Sequence, residues 1–140
     1  MSWMEYVAQE DEFGCLIAAA AMVLDLTYTQ VAKTVPLQDP EIFRQTGKNL
    51  LGVIALDRIE ALALTRGKEM IDLGPPPFVT QDGLRYIAMV PAANHALAVD
   101  ETGIAFDPAP VNEGVRKMWS EYDVLALLEF RPLERFRDQV

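Results

Sequence analysis

The sequence predicts an α+β domain, with helices in its first half and antiparallel strands in its second. Three observations carry this. Residues 15–24 are an unbroken apolar run rich in alanine, and Val53, Leu56, Ile59 and Ala63 recur at helical spacing. From Met70 onward, short apolar segments alternate with turns rich in Gly, Pro and Asp. Helices followed by strands make one α+β layer pair rather than alternating βαβ units.

The elements follow in order. Trp3, Tyr6 and Val7 belong to a short lead-in that can pack on the domain. Gly14 permits a tight turn, and Cys15 then starts a helix that is apolar all round and therefore buried, ending near Asp25. Thr27-Tyr28-Thr29-Gln30 is a capping box, opening a short helix through about Thr34 that Pro36 stops. Asp39-Pro40 opens a brief turn or helix around Glu41–Gln45, and Gly47-Lys48-Asn49 is a loop. The third helix, built on Val53 to Ala63, stops at Gly67. Strands are expected over Met70–Leu73, Arg85–Val90, His95–Val99 and Ile104–Phe106, the middle pair separated from the last by the hairpin signal Asp100-Glu101-Thr102-Gly103. The last segment reads two ways: a helix over Glu121–Leu128 capped by Ser120 with Asp123, or a strand over Leu125–Leu133.

At 140 residues the chain is read as one domain, 1–140, long enough for a substantial core. A formal charge of -9 argues against a nucleic-acid partner, which needs a positive footprint. A single cysteine cannot form an internal disulfide, so nothing marks an oxidising compartment. No basic n-region with an apolar h-region opens the chain, and the apolar run is far shorter than the ~20 residues that cross a bilayer. A cytoplasmic location without membrane contact is expected; the oligomeric state is left open. One Cys and one His cannot build a zinc site without two carboxylates, and no Gly-rich phosphate loop is present, so no metal and no cofactor are expected.

With one Cys and one His, any nucleophile–base pair must be Cys15 with His95. A thiol in the first turn of a helix lies at the positive end of its dipole, which favours the thiolate. The imidazole would take the thiol proton and later protonate a leaving amine. A third group must fix its tautomer and orientation. Asp107 is the best candidate, at the end of the strand expected beside that of His95. Asp100 is nearer in sequence but sits at the hairpin end. Oxyanion donors would be the Cys15 backbone N–H and the Gln9 side chain, which can reach back over the helix start. Read alone, a cysteine in an apolar helix is a small buried hydrophobe. It is Gln9, His95 and Asp107 in matching places that favour a site.

Gln9-x5-Cys15, the alanine-rich helix and His95-Ala-Leu-Ala-Val-Asp-x-x-Gly-Ile-x-x-Asp107-Pro together resemble the papain superfamily of cysteine peptidases. Within it the chain is most similar to the bacteriocin-processing (double-glycine leader) peptidase-like group, over about Gln9 to Pro108. Many of that group have Gly or Pro directly after the cysteine, where this chain has Leu16. The resemblance implies a papain-like fold and a Cys15–His95–Asp107 triad with Gln9 as oxyanion donor, cleaving a peptide or amide bond. Two alternatives are an acyltransferase or transglutaminase-like enzyme with the same triad, and a non-catalytic papain-like binding module. The acidic stretch Glu10-Asp11-Glu12 suggests a peptide or protein substrate with basic residues, or else a solvated loop.

Overall fold

The computed structural model describes residues 4–36, 45, 52–90 and 95–133. Among the described residues, three helices precede or flank a six-stranded antiparallel sheet: α1 (Cys15–Leu24), α2 (Tyr28–Ala32), α3 (Gly52–Thr65), β1 (Lys68–Asp72), β2 (Arg85–Val90), β3 (His95–Val99), β4 (Ile104–Phe106), β5 (Arg116–Met118) and β6 (Ala126–Pro132). The sheet order is β1-β6-β2-β3-β4-β5. The α+β expectation is borne out, with the helices packed on the sheet.

Local chemistry accounts for the element ends. Asp25 closes α1 in the left-handed region at φ 58°, its N–H bonding the Ala21 carbonyl. Thr27 and Gln30 form both halves of the expected capping box, although α2 stops at Ala32. Gly67 follows α3 at φ 74°, a conformation that a Cβ would disfavour. The turn or helix expected around Glu41–Gln45 lies outside the described residues except for Gln45, which is helical. Trp3 and the 47–49 loop lie outside them too.

The core has two layers. Ile17 to Leu24 of α1 are all buried, and α1 packs on β3 and β2. On the helix side, Ala18 to Ala21 share one cluster with Ile87, Ala96, Ala98, Leu128 and Phe130. Small residues on both the helix and β3 let the helix lie close to the sheet. Enlarging Ala20, which is fully buried, to Leu would overpack this contact at a cost of about 1–3 kcal/mol. The alternate residues Tyr86, Ala88, Leu97, Val99 and Leu127 face a second cluster. Loop residues Phe78, Leu84, Trp119 and Tyr122 cover it. A sheet buried on both faces explains why β2 and β3 read as continuous apolar runs.

The two readings of the last segment resolve as a strand. β6 lies between β1 and β2, pairing with both, and so belongs in the middle of the sheet. Trp119–Glu121 is a single 3-10 turn in which the Glu121 carboxylate, rather than Ser120, accepts the turn's N–H, from Met118 at 2.9 Å.

Arg85 ties α1 to the sheet. Its guanidinium donates to the Met22 and Val23 carbonyls at 3.3 and 3.2 Å and to Asp25 at 2.8 Å, and also pairs with Glu101. A cation at a helix C-terminus complements the dipole. The opposite end of that helix is left open for Cys15.

Candidate active site

Cys15 opens α1 after Gly14, and no side chain caps this helix start. The first N–H groups of an uncapped helix have no intrahelical partner, so the Cys15 N–H is available to an incoming oxygen. Gly14 is required by close approach: a Cβ there would lie 2.0 Å from the Tyr28 hydroxyl. That hydroxyl donates to the Asp11 carboxylate at 2.7 Å, while the Asp11 carbonyl accepts the Gly14 N–H at 3.0 Å. Burial and this carboxylate together push the Tyr28 hydroxyl well above its usual range, so it stays a donor. The loop before the nucleophile is thus pinned to α2.

His95 is the first residue of β3, and Asp107 directly follows β4, which pairs with β3. Both therefore lie at one end of the sheet, as the sequence suggested. His95 Nε2 lies 2.6 Å from Asp107 Oδ1. With Nε2 given to Asp107, Nδ1 is the ring nitrogen left for the thiol. The His95 pKa is raised from 6.5 to about 9, with the neighbouring Cys15 thiol as the largest cause. Burial opposes the shift, and the Asp107 bond reinforces it. Imidazole and carboxylate thus meet directly across two neighbouring strands.

Asp107 is 6% exposed, with both oxygens engaged. Oδ1 also accepts the Ala109 N–H at 2.9 Å, and Oδ2 accepts from Asn112 Nδ2 at 3.1 Å. The Tyr6 hydroxyl donates to the Asp107 carbonyl at 2.8 Å, and the Gln9 N–H to the Pro108 carbonyl at 2.9 Å. Sequence reasoning missed Asn112 and placed Tyr6 only as packing. The Pro at position 110, which starts a 3-10 turn over Pro110–Asn112, was the available signal for a built turn after Asp107. Asp100 lies at the other end of β3, its carboxylate bonded to Thr102 and Ile104.

Gln9 is near but differently engaged. Its amide donates to the Asp11 and Glu12 carbonyls at 3.0 and 3.1 Å, and its Oε1 is buried without a partner. As placed, Gln9 braces the loop before Cys15. Among the described residues no cluster of His, Cys, Asp and Glu is disposed to hold a metal ion. Among them, too, no helix is long and apolar enough to cross a membrane.

Solved structures match this arrangement of elements, and two of them are peptidase domains. One is a double-glycine motif protease from an AMS/PCAT transporter, solved in complex with the leader peptide; it is 20% identical over 94% of each chain, with a TM-score of 0.63. The other is the peptidase domain of Streptococcus ComA, a bi-functional ABC transporter involved in quorum sensing. It is 14% identical over 92% of this chain and 100% of its own, with a TM-score of 0.57. This chain has the papain-like peptidase fold. No family model and no curated protein sequence matches it. At this identity the match is one of fold, and it agrees with the resemblance read from the Gln9-to-Pro108 pattern.

Proposed function

We propose that the chain is a cysteine peptidase, a single domain whose triad is Cys15, His95 and Asp107. The observation that supports this most is the His95 ring bonded to the Asp107 carboxylate at 2.6 Å, with the Cys15 thiol the largest cause of the raised His95 pKa. The fold shared with two peptidase domains supports it, and the leader peptide bound to one of them supports a peptide substrate.

The chemistry follows from the donors and acceptors present. Transfer of the thiol proton to His95 leaves a thiolate beside an imidazolium, whose charge Asp107 stabilises. The sulfur attacks the scissile carbonyl carbon, and the displaced electron pair moves to oxygen, which the Cys15 N–H receives. The imidazolium gives its proton to the leaving amine as the C–N bond breaks, leaving a thioester. Water, deprotonated by the same imidazole, attacks that thioester; the C–S bond breaks and the acid is released. Gln9 adds a second oxyanion donor by exchanging its bond to the Asp11 or Glu12 carbonyl for one to the oxyanion. Loss of such a donor costs ~2.7–4 kcal/mol, so Gln9→Ala should lower kcat about a hundredfold. Full turnover in that variant would remove Gln9 from the site.

Glu10 and Glu12 are exposed beside the helix start, whereas the Asp11 carboxylate is committed to Tyr28. A preference for basic residues near the cut is therefore assigned to Glu10 and Glu12, and it should weaken with salt. The deciding experiment incubates the protein with a peptide library and reads cut sites by mass spectrometry, with Cys15→Ala as comparison. Cleavage lost in Cys15→Ala supports the reading. Cleavage that survives in Cys15→Ala, or a wild-type thiol inert to a thiol-directed electrophile at neutral pH, contradicts it.

A further inference from the structure

We infer that Asn112 is a positioning residue, whose side-chain amide fixes the plane of the Asp107 carboxylate so that Oδ1 stays on His95 Nε2. The inference deepens the catalytic reading above and rests on it for its link to turnover.

An aspartate carboxylate has a broad, nearly two-fold torsional profile, so nothing intrinsic to Asp107 selects which oxygen meets the ring or at what tilt. Two bonds on different oxygens do. The Ala109 N–H holds Oδ1 from within the turn, and Asn112 Nδ2 holds Oδ2 at 3.1 Å. A carboxylate held at one oxygen can pivot about it; one held at both has its plane fixed. The Tyr6 hydroxyl cannot substitute, because it already bonds the Asp107 carbonyl at 2.8 Å. Without Asn112 the buried Oδ2 would lack its side-chain donor, and an unmet buried acceptor would turn toward water or another donor.

The turn is built to bring Asn112 back. Pro110 starts it, and the Asn112 N–H bonds the Ala109 carbonyl at 2.8 Å, followed by Glu113 N–H to Pro110 at 3.2 Å and Val115 N–H to Asn112 at 3.0 Å. Asn112 is half-buried, while its neighbour Val111 is 89% exposed. Only a donor serves at position 112, because both Asp107 oxygens are acceptors. An amide meets that need without placing a net charge beside the triad.

A single histidine and a single cysteine make the test unambiguous. The His95 ring is titrated by NMR in wild type, Asn112→Ala and the near-isosteric, uncharged Asn112→Leu, with Val111→Ala as control. Alongside, kcat and KM are measured on a peptide that the wild type cleaves, and thermal stability is followed. In both Asn112 variants the His95 midpoint should fall from about 9 toward 6.5, and kcat should drop at least about tenfold at nearly constant KM, as for a misaligned catalytic group. Val111→Ala should match wild type. A merely structural turn residue would lower thermal stability but leave the midpoint and kcat unmoved, and that result overturns the inference. If Asn112→Ala does not fold, Asn112→Leu decides by the same readouts. A His95 midpoint that moves in a protein cleaving no peptide supports the Asn112 contact and sinks the peptidase reading instead.

Discussion

Asp100 and Asp107 flank the same short hairpin strand, and both carboxylates are buried, at 3% and 6% exposure. Asp100 Oδ1 collects the Thr102 N–H at 2.8 Å, the Thr102 hydroxyl at 2.7 Å and the Ile104 N–H at 3.0 Å, all within four residues. Those bonds build the hairpin turn and reach nothing else. Asp107 divides its bonds: Ala109 and Asn112 are local, while the shortest, at 2.6 Å, crosses to His95 on the neighbouring strand. Two buried acids with similar satisfaction therefore have different roles, set by what lies across the ladder. At one end of β3 a carboxylate shapes backbone; at the other it bonds a ring on the neighbouring strand.

The largest expected effect separates the two acids directly. Asp107→Asn should keep the fold and lower kcat at least about a hundredfold, because an amide cannot stabilise an imidazolium. Asp100→Ala should leave kcat within about twofold, yet it strips the hairpin of three bonds worth on the order of 1 kcal/mol each and lowers Tm by several degrees. Steady-state kinetics with thermal melts on both variants checks the contrast, and a catalytic loss in Asp100→Ala equal to that in Asp107→Asn would erase it.

Glycines at the two ends sharpen the same comparison. Gly14→Ala sets a methyl 2.0 Å from the Tyr28 hydroxyl, so the Tyr28–Asp11 bond must break and the start of α1 must shift. Since small displacements of reacting groups cost one to two orders of magnitude, kcat/KM should fall at least about tenfold. Gly103 sits at φ +88° in the hairpin, where a Cβ would lie 2.9 Å from the end of the Met118 side chain. Gly103→Ala should cost about 1 kcal/mol or more of stability and leave kcat near wild type.

The smallest effect is on stability against pH. The folded pKa of His95 is raised, from 6.5 to about 9. Its charged ring therefore contributes stability that is fully present below about pH 6.5 and is lost as pH rises through about 9. Wild-type Tm should decline over that window more steeply than Tm of His95→Gln. Parallel declines would show that the ring is not held by its two partners.

How much of this was legible follows from where each signal resides. The bounds of β2, β3 and β4 were readable because apolar runs end at Gly, Pro and Asp turns, and α1 because ten apolar residues admit no exposed face. β5 was not anticipated: Arg116, Lys117 and Met118 are all exposed on a sheet edge and carry no apolar alternation. The placement of β6 was ambiguous because a central strand and a buried helix both read as apolar runs. The approach of His95 to Asp107 was legible since a single histidine and the strand order left one acid to meet it. Asn112 was not, because a loop asparagine before Glu-Gly has an ordinary turn reading, and only the returning 3-10 turn sets it against Asp107. Nor could the sequence show that the Gln9 amide spends its donors on the Asp11 and Glu12 carbonyls, because backbone acceptors leave no mark on residue type.

The central claim is that Cys15 and His95 act as one unit, and the rate of iodoacetamide alkylation at the sole cysteine measures that most directly. Wild type and His95→Ala, shown by melts to be folded, are alkylated from pH 5 to 9 and followed by intact mass. The account predicts that wild type reacts at least about ten times faster than His95→Ala at pH 7, because the imidazole holds the thiol proton. Equal rates in the two proteins at every pH would contradict it.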